Sequence, residues 1–145
     1  MILYLDASAL VKRYVAEDGS EAVTALISKA NIIGTGTISR AEVSTAFAKA
    51  VRMKALKRDE GASALQVFAA DWENLVRLQI TEVIVARAAA LAWEHGLRGY
   101  DAVHLAAASF WQEIMDESVT LATYDRQLWH GASISGLVAW PELEP

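Results

Sequence analysis

Short apolar runs alternate along this chain with longer segments of helical periodicity. Between the runs, apolar side chains recur every three or four positions, which predicts amphipathic helices. Strands that are each followed by one or two helices indicate an α/β fold in which helices cover a parallel sheet. The runs predicted as strands are Ile2–Leu5, residues 32–38, Leu75–Ile80, Val119–Thr123 and Leu137–Trp140.

Polar residues mark where several of the predicted helices begin. Candidate starts are Ser8, Ser39, Thr81 and Asp101, and a short helical turn is predicted over Asp125–Trp129. The first of these helices is predicted to reach Ala16. No linker, internal repeat or low-complexity segment interrupts the pattern, so we predict one domain over residues 1–145.

Composition indicates the cellular compartment of the protein and the kinds of contact that it makes. Of its 145 residues 54% are apolar, and the mean hydropathy is +0.22. No run approaches the roughly 20 apolar residues of a membrane span. The chain has no cysteine and no signal-peptide pattern, so we predict a cytoplasmic protein that does not bind membranes. The surplus of apolar residues indicates a buried interface with another chain.

The charge distribution is uneven. A net charge of −5 is not typical of nucleic-acid binding, which usually leaves a basic footprint. Five of the 13 basic residues nevertheless lie within ten positions, where they suit either a solvated helix end or a surface that follows phosphates. These five are Lys49, Arg52, Lys54, Lys57 and Arg58, and Lys12 and Arg13 are lesser candidates for holding phosphates.

Four acidic residues lie at the ends of predicted strands or at the start of predicted helices. They are Asp6, Glu42, Asp101 and Asp125. In a parallel sheet the carboxyl ends of the strands face one crevice, where ligands bind. Carboxylates gathered there repel one another unless a cation neutralises them. Oxygen ligands suit hard divalent ions such as Mg²⁺, which also bring phosphate substrates with them, so the set predicts a Mg²⁺ site.

Each acid also has a structural explanation that the sequence leaves open. Asp6 and Asp125 are able to cap the helices that follow them, and Asp101 suits a helix amino terminus because of the helix dipole. Ser39 and Glu42 have the spacing of a capping box, in which the glutamate bonds back to the start of its helix.

Neighbouring polar side chains are candidates for supporting roles. Ser8 suits a helix cap, a hydrogen bond within a metal site or a surface hydroxyl, and Thr123 is able to orient Asp125 or a metal-bound water. His104 shares a helical face with Asp101, but a single histidine in an alanine-rich helix is more typical of packing than of a metal ligand. No phosphate-binding glycine loop, serine-hydrolase elbow or zinc-ligand spacing is found.

Taken together, four segments resemble the motifs of PIN-domain ribonucleases and, more narrowly, of VapC toxins from type II toxin–antitoxin pairs of bacteria and archaea. They occur in the family's order over residues 2 to about 140, and no acidic position departs from the pattern. The segments are Asp6-Ala7-Ser8, Ser39-Arg40-Ala41-Glu42-Val43, Arg98 through Ala106 and Thr123 through Leu128.

The resemblance implies a three-layer α/β/α sandwich with a central parallel sheet and its acids at one edge. It also implies endonucleolytic cleavage of RNA that depends on Mg²⁺ or Mn²⁺. The implied partners are a second copy of the chain and a cognate VapB-like antitoxin, whose tail enters the active-site groove and often brings a basic residue. The implied catalytic and metal-site residues are Asp6, Glu42, Asp101 and, more peripherally, Asp125, with Ser8 and Thr123 in support.

Two other functions stay open at the level of sequence. A catalytically inactive nuclease-like module would act only by binding a protein partner, although the intact acids argue against it. A metal-dependent, structure-specific DNA nuclease is the second alternative, although the chain has no obvious helical arch or DNA-binding extension. No motif names the RNA, because RNA recognition depends largely on shape and scattered contacts.

Overall fold

A computed structural model describes all 145 residues and contains one five-stranded parallel sheet. The order across the sheet is β3-β2-β1-β4-β5, and every neighbouring pair of strands is parallel. All five predicted strands are present, with ends that differ from the prediction by up to two residues. The strands are β1 (Ile2–Leu5), β2 (Ile32–Gly36), β3 (Val76–Leu78), β4 (Val119–Ala122) and β5 (Val138–Trp140).

Seven α-helices connect and cover the strands. The first is much shorter than predicted, because regular α-helix ends at Leu10 and a single 3₁₀ turn over Val11–Arg13 follows. The last is longer than the predicted turn and reaches Ile134. The helices are α1 (Ala7–Leu10), α2 (Ser20–Lys29), α3 (Ser39–Arg52), α4 (Arg58–Trp72), α5 (Glu82–His95), α6 (Gly99–Met115) and α7 (Arg126–Ile134).

The central strand β1 is buried on both faces, which explains its uninterrupted apolar sequence. Leu3 and Leu5 pack with residues of α1 to α4, whereas Ile2 and Tyr4 pack with residues of α5, α6 and α7. Helices therefore lie on both faces of the sheet, and the predicted three-layer α/β/α sandwich is confirmed. No helix combines the length and the apolar character needed to cross a membrane.

A glycine in β2 allows α6 to approach the sheet closely. A Cβ atom at Gly34 would lie 2.7 Å from the ring of Trp111, a distance that packed atoms do not tolerate. Trp111 is almost fully buried against Tyr4 of β1, with ring centroids 6.5 Å apart. The close approach fixes the position of α6 relative to β1, and α6 carries two of the residues considered below.

The strand order places a crevice beside β1. The chain runs outward from β1 through β2 to β3, then returns to form β4 and β5 on the other side of β1. The connections that leave the carboxyl ends of β1 and β4 therefore turn to opposite sides. Such a switch point is where open α/β sheets bind ligands, because it leaves a crevice between the two diverging connections.

Candidate functional site

Asp6 follows β1 directly and is 3% exposed, at the bottom of this crevice. Its carboxylate accepts three hydrogen bonds. The Ala9 backbone N–H (3.0 Å) and the Ser8 hydroxyl (2.7 Å) donate to Oδ1, and the Thr123 hydroxyl (2.7 Å) donates to Oδ2. Asp6 therefore caps α1, as its structural explanation predicted, and the cap also holds the carboxylate in one orientation.

Two hydroxyl groups connect Asp6 to the loop that follows β4. Ser8 Oγ accepts a hydrogen bond from the Tyr124 backbone N–H (2.9 Å), and Thr123 Oγ1 accepts one from the Asp125 backbone N–H (2.9 Å). The two hydroxyl oxygens lie 3.3 Å apart. Through these hydrogen bonds Ser8 and Thr123 connect the end of β1 to the end of β4, and their supporting role in a metal site stays a prediction.

Asp101 and Asp125 share one cation. Asp101 lies in the first turn of α6, and Asp125 caps α7 by accepting a hydrogen bond from the Leu128 backbone N–H (2.9 Å). The Arg98 guanidinium donates through Nε to Asp101 (3.1 Å) and through Nη2 to Asp125. Sequence reasoning did not single out Arg98. The signal available was its spacing, because residues three apart on a helix are neighbours.

Glu42 does not form the predicted capping box. Ser39 is fully buried and its hydroxyl lies 2.7 Å from the Thr35 hydroxyl, so no side chain caps α3. The Glu42 carboxylate instead lies 2.6 Å from His104 Nε2 on α6. His104 is buried, as its interpretation as a packing residue predicted, but its imidazole also forms a hydrogen bond with one of the four candidate carboxylates.

Burial raises the pKa of two of these carboxyl groups, and for Asp101 the repulsion of neighbouring carboxylates adds to it. Loss of water is the main reason why the pKa of Asp6 lies above its ordinary value, and three hydrogen-bond donors oppose the rise only in part. The pKa of Asp101 is raised first by burial and then by the charge of Asp125, while Arg98 opposes the rise. Asp6 adds a smaller repulsion on Asp101, so the two carboxylates act on each other.

An open cleft of about 690 Å³ leads to the acidic residues. Glu42, Arg98 and Asp101 line its polar end. The remaining wall comes from α5 and the start of α6 and is mostly apolar, with Val85 and several alanines. Three of the site residues are therefore reachable from solvent, whereas Asp6 lies deeper.

The donor set suits a hard divalent cation. Carboxylate oxygens are the ligands that Mg²⁺ prefers, and the ion usually keeps several waters while one or two protein carboxylates bind it. No group of three or more His, Cys, Asp or Glu side chains has the spacing of a complete metal site. Asp6 and Asp101 fit an ion that keeps much of its water, and such an ion would offset the cost of burying both carboxylates and the repulsion that acts on Asp101.

Comparison with known proteins identifies the family of this chain. The model of the PIN domain matches residues 3–132. The chain belongs to the PIN domain family. This PIN domain is 34% identical over 145 residues to the Mycobacterium tuberculosis protein Ribonuclease VapC45, and the match covers 99% of each chain.

Solved structures with the same fold include components of toxin–antitoxin complexes. One is a toxin–antitoxin complex from Klebsiella pneumoniae, with a TM-score of 0.67, 20% identity, and coverage of 94% of this PIN domain and 95% of that chain. Another is VapBC2 from Rickettsia felis bound to a DNA fragment from its promoter, with a TM-score of 0.65, 19% identity, and coverage of 96% and 97%. At this level of identity the likeness concerns the fold.

Proposed function

We propose that this PIN domain is a Mg²⁺-dependent endoribonuclease that acts as the toxin of a toxin–antitoxin pair. The observation that carries the proposal is that Glu42 and Asp101 line one cleft, and that the charges of Asp125 and Asp6 both act on Asp101. These acids come from four separate parts of the chain, so the packing of several elements is needed to gather them. The full-length similarity to a protein named Ribonuclease VapC supports RNA as the substrate.

The residues of the site have two roles in this proposal: they hold the metal ion and they orient the attacking water. When bound, a divalent ion supplies Lewis-acid activation of the scissile phosphate and of a water molecule. Asp6 is the fixed carboxylate, because its three hydrogen bonds leave it a single orientation. Glu42 and Asp101 line the open cleft and are placed to hold the ion and to accept hydrogen bonds from the attacking water. Asp125 acts further out, through the Arg98 guanidinium that it shares with Asp101.

The cleft also suits an antitoxin segment. Its acidic end would accept a basic side chain in place of the metal, and its apolar wall would take aliphatic side chains. The fold is shared with chains of two toxin–antitoxin complexes, which supports a partner of this kind. Large apolar side chains exposed on α5 and α6, above all Trp93 at 93% exposure, support a homodimer as well.

RNA cleavage by the purified, antitoxin-free protein tests the enzymatic proposal. A structured RNA is incubated with the protein in Mg²⁺, in Mn²⁺ and in EDTA, and the cut sites are mapped. We expect cleavage with either metal, none in EDTA, and none by Asp6→Asn or Asp101→Asn. Asp116→Asn is the matched control, because Asp116 ends α6 at the surface and its left-handed backbone also suits asparagine.

Other outcomes would favour the alternatives. Cleavage of branched DNA but not of RNA would identify a structure-specific DNA nuclease. Absence of metal-dependent cleavage of either nucleic acid, by folded protein that still binds its antitoxin, would identify an inactive binding module. Equal RNA cleavage by wild-type protein and by both asparagine variants would show that the acids are not the metal site.

A further inference from the structure

A row of three hydrogen-bonded side chains connects the core beside the sheet with the candidate site. Tyr4 in β1 is fully buried, and its hydroxyl oxygen lies 2.8 Å from His104 Nδ1. His104 is 1% exposed, and its other ring nitrogen, Nε2, lies 2.6 Å from Glu42 Oε1. The three residues belong to β1, α6 and α3, so these contacts connect the two helical layers of the sandwich.

Elementary acid–base chemistry identifies which group donates each hydrogen bond in this row of side chains. A phenol keeps its proton at neutral pH, and a buried hydroxyl proton needs an acceptor. The Tyr4 hydroxyl therefore donates, and His104 Nδ1 is the acceptor within reach. A neutral imidazole that accepts at Nδ1 carries its proton at Nε2, so His104 donates to the Glu42 carboxylate.

The cost of burying this pair shows that it is not ordinary packing. Burying a phenol hydroxyl and an imidazole costs free energy unless both find partners, and apolar side chains would fill the same space without that cost. Here every buried side-chain polar atom is satisfied, and the pair's last hydrogen bond goes to Glu42. Glu42 makes no other side-chain hydrogen bond, although its side chain is 25% exposed and has three rotatable torsions.

We propose that His104 is a positioning residue that holds the Glu42 carboxylate toward the cleft, and that Tyr4 fixes the histidine in the required tautomer. The proposal rests on the proposed function, because it assigns Glu42 a place at a metal site. Partners that orient a metal-site ligand typically contribute 10- to 100-fold to metal affinity or activity. Tyr4 and His104 touch neither metal nor substrate and act through Glu42.

Three variants separate positioning from packing. Tyr4→Phe keeps the ring that packs on Trp111 but removes the donor to Nδ1. His104→Gln keeps a donor near the position of Nε2, whereas His104→Leu keeps volume and removes the hydrogen bonds. Exposed His130 on α7 provides the control His130→Leu.

The decisive measurements are the ¹⁵N spectrum of the His104 imidazole in metal-free protein, Mn²⁺ affinity by EPR titration, and RNA cleavage. We expect a proton on Nε2 alone in wild type and a mixture of tautomers in Tyr4→Phe. His104→Leu should lower Mn²⁺ affinity and cleavage about 10- to 100-fold. His104→Gln should recover most of the loss, and His130→Leu should match wild type.

Several results would overturn the proposal. They are a wild-type imidazole protonated at Nδ1, unchanged Mn²⁺ affinity in folded His104→Leu, or an equal loss in His104→Gln and His104→Leu. If His104→Leu does not fold, Tyr4→Phe and His104→Gln still decide the matter through tautomer and metal affinity. Wild-type protein that binds Mn²⁺ but leaves RNA intact would refute the proposed function, and the spectrum and metal titrations would still test the positioning role.

Discussion

An Asp6→Asn variant should be more stable than wild type in the absence of divalent metal, although it should not cleave RNA. The carboxylate of Asp6 is almost completely removed from water. An asparagine oxygen can still accept the hydrogen bonds from Ala9 and Ser8, and its amide nitrogen can donate to the Thr123 hydroxyl. The substitution therefore removes a buried charge while keeping most of the hydrogen bonding around it.

The sign and the size of the effect follow from the raised pKa of Asp6. Because its pKa is higher in the folded protein than the ordinary value, the folded state binds the proton more tightly than the unfolded state does. The ionised group therefore destabilises the fold, by about 1.4 kcal/mol for each unit by which the pKa is raised. The penalty grows as pH rises from about 4 through the folded-state pKa and is then constant. We expect a gain of about 1–2 kcal/mol at pH 7, or about 3–6 °C in Tm.

Thermal and urea unfolding at pH 7 and pH 4 measure this gain, with EDTA present and Asp116→Asn as the control. The advantage of Asp6→Asn should shrink toward pH 4, because the raised pKa lets the wild-type carboxyl take up a proton as pH falls. Added Mg²⁺ should stabilise wild type through binding to the folded state and leave Asp6→Asn nearly unchanged. A variant less stable than wild type at pH 7 in EDTA would refute the reasoning, because hydrogen bonds to the charged form would then outweigh burial.

Three further predictions concern charge and assembly. Arg98→Gln removes the cation that Asp101 and Asp125 share, so Mn²⁺ should bind severalfold more tightly by EPR titration; weaker binding would mean that Arg98 helps to build the site. Neutralising the five cations between residues 49 and 58, none of which is paired with a carboxylate, should lower the salt dependence of RNA affinity by about 0.7 in log–log slope for each phosphate that they neutralise, and an unchanged slope would exclude this segment. Trp93→Glu should convert a dimer to monomers in light scattering, whereas the neighbouring Glu94→Gln should not; a dimer unaffected by Trp93→Glu would place the interface elsewhere.

The strands of the sheet were predictable because local patterns of apolar residues mark them in the sequence. β1 is an apolar run buried on both faces, and its predicted bounds are those observed. The helix after it was predicted too long, since the capping by Asp6 and the apolar residues of the segment do not show where α-helix changes to a 3₁₀ turn. Its end depends on packing against other elements, and no local pattern encodes that.

Within the site, the identity of the acids was predictable and their partners were not. Ser39 and Glu42 have the spacing of a capping box, but the Ser39 hydroxyl is buried against that of Thr35, which also donates to the Leu5 carbonyl of β1. The partner of Glu42 is His104, 62 positions away, and the pair forms because α3 and α6 pack on the same sheet from opposite faces. Arg98 differs, because its spacing to Asp101 was visible in the sequence.

The bond from Thr123 to Asp6 joins residues 117 positions apart, and β1 has β4 as one of its two neighbours in the sheet. A nascent chain that ends before β4 can contain β1, Asp6 and Glu42 and still have no assembled site. The donor to Asp6 Oδ2, the capping residue Asp125 and one wall of the crevice are all synthesised afterwards. For a protein that cuts RNA, this order of synthesis would delay activity until the segment through Asp125 has emerged from the ribosome that is translating its own message.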